Sequence, residues 1–329
     1  MPEAPLGQGA DPAVDEDFER RRCTVAVDQQ GERLDRFLTQ ALPEFSRSHV
    51  QHLLDDGAVR CVQLVSPQAL KPARKIRFGE CYEVVLRPTA QSQAFKPQPM
   101  PLDVVYEDAH LCVIHKPAGL VVHPAPGHWQ DTLLNGLLAR DAQAAQLPRA
   151  GIVHRLDKDT SGLMVVARTR AAMDALVARI AARDVHRQYL AVGARAWRGA
   201  EVVEVTEAIG RDPRNRLRMA VVDLDRQPGK TAHTTLTCLD SQDAACLVHC
   251  TLHTGRTHQI RVHMAHLAHP LLGDALYGGP MQLGIARQAL HAWRLAFDHP
   301  ITGEPLAFEA APPDDFMALL ARHHLAWSA

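Results

Sequence analysis

The chain has 329 residues, 46% of them apolar and 22% charged, which is the balance of an ordinary globular protein with room for two domains. Its seven cysteines include no C-x-x-C pair, so neither a disulfide framework nor an all-cysteine zinc site is suggested, and a reducing, cytoplasmic setting fits best. The sequence holds no apolar leader and no 18-residue apolar run, so we expect a protein that is neither exported nor membrane-spanning.

Residues 1–20 mix Gly, Pro, Ala and acids without periodicity and are expected to form a disordered acidic tail. Leu34, Phe37, Leu38 and Ala41 then fall at helical spacing. Ser46 is a candidate N-cap for a second helix that carries Val50, Leu53 and Leu54 on one face and closes at Gly57. Extended stretches at 59–64 and 81–86 complete a small basic unit over 21–87, with Arg33, Arg36, Arg47 and Gln51 projecting from its helices. Residues 88–101, rich in Pro and Gln, read as a linker.

Beyond it, 102–329 forms a larger domain. LDVVYED, HLCVIHK and LVVH have strand character, 132–142 reads as a helix, and Thr169 caps a helix bearing Met173, Leu176, Val177 and Ile180. HRQYLAVGARA returns to strand. Cys246 to His253 alternates, turns at Gly255 and continues as a helix. The expected class is α+β, with a mixed, largely antiparallel sheet and flanking helices. No G-x-G-x-x-G or G-x-x-x-x-G-K-[ST] is present, so a nucleotide cofactor has no support.

Chemistry concentrates in GIVHRLDKDTSGLMVVAR at 151–168. Asp157 lies between Arg155 and Lys158, and nearby cations keep a carboxylate ionised, as a nucleophile or charge stabiliser requires. The plain alternative is a solvated loop whose ion pairs contribute about 0–1 kcal/mol. Asp157 and Asp159 make a poor glycosidase pair, because alternate loop residues rarely face one cleft, and Ser161 lacks the G-x-S-x-G elbow. His253, His258, His263, His266 and His269 lack H-E-x-x-H, and imidazoles in a basic run more often serve RNA contact or core hydrogen bonding than a metal. One ionised Asp, Tyr189 some thirty residues on, and the G-R-T-H-Q-I-R run at 255–261 are together compatible with an enzyme that flips out a base.

HRLDKDTSG at 154–162, KPAGLVVHPAPG at 116–127, RQYLAV at 187–192 and LHTGRTHQIRVHMAHLAHPLLGD at 252–274 resemble the RluA family of pseudouridine synthases. The resemblance spans nearly all of the chain after the acidic tail; His115 stands before Lys116-Pro117 where relatives often have Asn. RLDRFL at 33–38 and SRSHVQHLLDDGAV at 46–59 are similar to an S4 (α-L) RNA-binding domain.

The resemblance implies a pseudouridine synthase catalytic domain behind a small S4 domain that contacts RNA through Arg33, Arg36, Ser46, Arg47 and Gln51. It implies isomerisation of specific uridines in large-subunit rRNA, within pre-50S particles or a ribosomal stem-loop, by a monomer needing no cofactor, metal or nucleotide. Asp157 would be the nucleophile, attacking ribose C1′ or adding to uracil C6. Arg256 would pair with Asp157 from across the cleft, Tyr189 would stack on the flipped base, Arg155 would fill the vacated space and Ile260 would floor the uracil pocket. His154, Leu156, Thr160, Gly255, His258 and Lys116 would complete the substrate site. The alternative from another class is a non-catalytic S4-type RNA-binding or ribosome-assembly factor.

Overall fold

The computed structural model describes residues 20–43, 47–64, 70–85, 94–125, 128–215, 217–281 and 285–328. Contacts divide the chain into two units at the Ser92/Gln93 junction.

In the first unit, β1 (Arg20–Thr24), α1 (Leu34–Ala41), α2 (Arg47–Asp55), β2 (Val59–Cys61) and β3 (Cys81–Val85) form a helix pair and an antiparallel sheet of order β1-β3-β2. The helical spacing read from the sequence has its cause here: Leu34, Phe37 and Leu38 of α1 and Val50, Leu53 and Leu54 of α2 are buried in one cluster with Tyr82. Each such side chain contributes about 1.5–3 kcal/mol relative to exposure. Arg20, the last residue of the expected tail, opens β1; the remainder of that tail and the Ser46 cap lie outside the described residues. The strand expected at 59–64 ends at Cys61.

The second unit is built from β4 (Asp103–Glu107), β5 (Leu111–Lys116), α3 (Leu133–Arg140), β6 (Ser161–Ala167), α4 (Arg170–Ala182), β7 (His186–Ala194), β8 (Val202–Val205), β9 (Ile209–Arg211), β10 (Met219–Val221), β11 (Gly229–Lys230), β12 (Thr234–Gln242), β13 (Ala245–Leu252), α5 (Gln259–His266), β14 (Leu290–Asp298), β15 (Pro305–Glu309) and α6 (Asp314–Arg322). Nine strands form one sheet of order β4-β5-β6-β14-β7-β13-β12-β8, with β15 on β14, and β10-β9-β11 form a small second sheet. Among the described strands β6 and β14 alone run parallel and the other strand pairings are antiparallel, in keeping with the mixed, largely antiparallel sheet expected from the sequence.

The central strands are covered on both faces, which is why β6 reads as an unbroken apolar run rather than an alternation. Leu163 and Val165 pack with Ala172 and Leu176 of α4 on one side, while Met164 and Val166 pack with Leu133 and Leu134 of α3 on the other. In β7, Leu190 and Val192 meet Phe316 and Leu319 of α6, and Tyr189 and Ala191 turn to the face of α5. The Thr169 hydroxyl caps α4 by accepting from the Ala172 amide at 3.3 Å, whereas Val177, expected on the buried face, is exposed.

Two expectations are corrected. LVVH supplies an isolated bridge from Val121 to Thr132 rather than a strand. Of the expected linker, residues 94–101 pack on the second unit: Asn135 Nδ2 donates to the Ala94 and Lys96 carbonyls, and Met100 lies so close to Gly136 that a methyl group there would clash. The proline-rich composition marks irregular backbone, not a free tether.

Candidate active site

The loop carrying Asp157 enters β6 through Gly162, whose φ of +120° and close approach to the Ala292 backbone admit no side chain. The loop is clamped from behind. Lys116 is fully buried, and its Nζ donates to the carbonyls of Pro117, Leu120 and Lys158 at 2.8, 2.9 and 2.9 Å. Burial pulls its pKa down to about 7, while three carbonyl acceptors use the three N–H bonds that only the ammonium carries. Arg287 Nη1 donates to the Asp159 carbonyl at 3.1 Å while its Nε and Nη2 grip Asp315. Gln288 Nε2 donates to the Thr160 hydroxyl at 3.3 Å. His154 Nε2 accepts from the Val165 amide at 3.0 Å, and Leu156 is buried in the core.

Lys116 is therefore corrected from a substrate contact to a buried brace. A lysine beside a Pro-Ala-Gly turn looks like an anion binder in one dimension; the fold spends all its donors on main-chain carbonyls. His154 also braces, and burial, then the Arg187 charge, pushes its imidazole down to about 3.

Asp157 accepts from Arg261 Nη1 at 3.1 Å. The same guanidinium forks onto Asp274, Nε to Oδ2 at 2.7 Å and Nη2 to Oδ1 at 2.9 Å, and lies 4.9 Å from the Tyr277 ring centroid. The Tyr277 oxygen accepts from the Met219 amide at 2.9 Å and lies 2.8 Å from His258 Nδ1. With Tyr277 donating to Nδ1, the His258 proton sits on Nε2, 3.9 Å from Asp157 Oδ1. Burial lowers the His258 pKa, which favours this neutral form.

The expected Arg256–Asp157 pair is overturned. Arg256 lies in the loop before α5, where its amide donates to Gln259 Oε1 at 2.9 Å and its Nε to the Thr231 carbonyl at 2.9 Å. Arg261, on the first turn of α5, faces Asp157 instead. The G-R-T-H-Q-I-R run contains both arginines, and only the helix start at Gln259 decides between them. Asp274, Tyr277 and Arg287 join this site with no local spacing in the sequence that ties them to Asp157.

Tyr189 and Ile260, both buried, line a cleft of about 720 Å³ together with Asp157 and every expected substrate residue except Lys116. Burial pushes the Tyr189 phenol up to about 12, so it stays neutral. Among the described residues six arginines, 149, 155, 183, 187, 256 and 261, line this cleft, and Asp157 is its single acid. A chain of net charge −1 thus concentrates cation where a polyanion would enter.

The histidine run does not converge: His263 Nδ1 meets the Thr234 hydroxyl, His269 Nδ1 meets the Ala194 carbonyl, and His258 meets Tyr277. His253 lies with His233 and Glu204 in a group whose ligand-type atoms are within 4.8 Å of one another, but Glu204 is taken up by hydrogen bonds with His233 and with the Thr235 hydroxyl, which also meets His253 Nε2 at 2.8 Å. In the first unit, Arg33, Arg47 and Gln51 donate to the fully buried Asp35 at 3.0, 2.8 and 3.2 Å. These three are partly committed to an internal carboxylate, which the Arg33 bond holds well below the usual range despite burial. Arg36 is exposed and donates only its amide to Asp35.

Residues 110–266 match the RNA pseudouridylate synthase family. The chain is 48% identical over 312 residues to the ribosomal large subunit pseudouridine synthase D of Neisseria meningitidis serogroup A, covering 91% of this chain and 80% of the relative. The chain belongs to the pseudouridine synthase family. The synthase of the same name from Xanthomonas campestris is 45% identical, with 93% of each chain covered. Human RNA Pseudouridylate Synthase Domain Containing 4 has a similar structure, with a TM-score of 0.55 at 25% identity over 69% of this chain and 95% of that one. An RNA pseudouridine synthase displaces the binding-factor alternative, and the matched span contains Lys116, Asp157, Tyr189 and Arg261.

Proposed function

We propose that this chain converts uridines of large-subunit rRNA to pseudouridine with Asp157 as nucleophile, in the cytoplasm where that RNA is assembled. The observation that carries the reading is the Asp157–Arg261 ion pair at the base of an arginine-lined cleft. The Arg261 bond aims the carboxylate into the cleft, as a nucleophile requires, and the arginine-rich walls suit a folded polyanion.

The reaction breaks the N1–C1′ bond, turns the base, forms C5–C1′, and passes the C5 proton to solvent while N1 takes one up. Asp157 attacks C1′ or adds to C6; both use the same ionised carboxylate. Tyr189, flat and neutral, stacks on the extruded uracil above Ile260, and exposed Arg155 occupies the space the base leaves, offsetting a cost of a few kcal/mol. The first unit reads as an S4 domain, with Arg36 and the exposed edges of Arg33 and Arg47 facing RNA. The catalytic unit holds all the reacting groups within one chain, consistent with a monomer.

The test is tritium release from a large-subunit rRNA transcript labelled at uridine C5. Wild-type protein releases tritium and Asp157→Asn does not; equal release by both would remove Asp157 from the reaction.

A further inference from the structure

Arg187 lies in the cleft wall on β7, only 7% exposed, and its Nε has no hydrogen-bond partner. Among the described residues its guanidinium meets no carboxylate and no carbonyl. Arg261 in the same wall is equally buried and holds two carboxylates. A buried cation is ordinarily paired, because losing hydration without compensation costs several kcal/mol. Among the described residues Arg187 is thus a buried charge with no partner, free to take one from a ligand.

We propose that Arg187 is a phosphate-binding residue of the cleft, receiving a backbone phosphate at the flipped-out nucleotide; this rests on the isomerase reading above. Tyr189 lies two residues along the same strand, so the side chains share a face at about 7 Å spacing. With uracil on Tyr189, the sugar-phosphate of that nucleotide passes Arg187. The planar guanidinium fork matches two phosphate oxygens, and a full negative charge compensates the buried cation as a neutral uracil carbonyl would not. Asp157, the one acid of the cleft among the described residues, is already engaged by Arg261.

Gly255 supports this placement. A methyl group at residue 255 would come within 2.8 Å of Arg187 Nη1, the flexible tip of the side chain, so the glycine keeps space for the guanidinium beside an exposed loop. The G-R-T-H motif thereby acquires a second reason for its first residue.

The experiment measures filter binding of a large-subunit rRNA transcript across a salt series for wild type, Arg187→Lys, Arg187→Met and Gly255→Ala, with tritium release run in parallel. Each phosphate contact contributes about 0.7–0.9 to the slope of log K against log salt. Arg187→Met is expected to lose about one such increment and bind about tenfold more weakly at low salt. Arg187→Lys is expected to keep the slope. Gly255→Ala, which displaces only the tip of Arg187, is expected to fold and lose the same increment, and it decides the matter if Arg187→Met is unstable. Slopes unchanged in the folded variants would overturn the phosphate role. Absence of tritium release by wild type would instead remove the isomerase reading, a separate result from the slopes.

Discussion

Arg261 donates one nitrogen to Asp157 and two to Asp274, so one guanidinium ties the proposed nucleophile to a buried carboxylate 117 residues further along the chain. The pair sets the direction of Asp157. Removing Arg261 leaves the buried Asp274 and the cleft-lining Asp157 without the cation they share.

Arg261→Met is accordingly expected to destabilise the second unit by about 3–5 kcal/mol and abolish tritium release. Arg256→Ala removes a loop bond and is expected to change stability by less than about 1 kcal/mol, with residual activity retained. Urea unfolding with the release assay distinguishes the two; the reverse ranking would restore Arg256 as the partner.

The sequence made the sheet class, the helices at α1, α2 and α4, and the cleft walls legible, because burial imposes periodicity that can be counted. The unbroken apolar run from Leu163 to Val166 carries the signature of a strand covered on both faces. What it did not contain was direction. Arg256 and Arg261 are chemically identical and five residues apart, and their roles separate only when α5 begins at Gln259. Lys116 resembled a ligand-binding lysine because nothing local announces three carbonyls folding around it. Asp274 and Tyr277 became part of the site through packing of distant segments, which has no local signature.

Lys116→Met removes donors from three buried carbonyls, each loss costing about 1–3 kcal/mol. Because Lys116 positions the Asp157 loop without touching RNA, single-turnover tritium release is expected to slow about 100-fold at saturation, with the half-saturating protein concentration little changed. A change in half-saturation alone would mark a substrate contact.

Acid should weaken the fold before carboxylates titrate. His291, fully buried, has Nε2 2.9 Å from the Ala310 carbonyl and Nδ1 2.9 Å from the Ser161 hydroxyl, and burial pushes it down to about 4. His154 is pushed down to about 3. Both lie below the ordinary value of about 6.5, so the unfolded chain takes up these protons first and stability falls as pH drops from about 6.5 towards 4. Each histidine contributes about 1.4 kcal/mol per pH unit across that window. Urea midpoints at pH 7 and 5 test it, and His291→Gln should shrink the difference; a midpoint that rises on acidification would contradict it.

In the first unit, Asp35→Ala releases Arg33, Arg47 and Gln51 from their shared acceptor. The arginines are half-exposed and can hydrate, so the expected loss is about 1–3 kcal/mol. Hydrogen exchange should quicken at amides of α1 and α2 while those of β6 and β7 keep their protection. Uniform acceleration would mean that the two units unfold together.

The central claim is that Asp157 converts uridine in large-subunit rRNA. The most direct measurement maps pseudouridines by carbodiimide modification and primer extension in rRNA from a strain lacking this protein, restored with wild type or Asp157→Asn. The account predicts sites that disappear on deletion, return with wild type and stay absent with Asp157→Asn. A map unchanged by deletion, or restored equally by both forms, would contradict it.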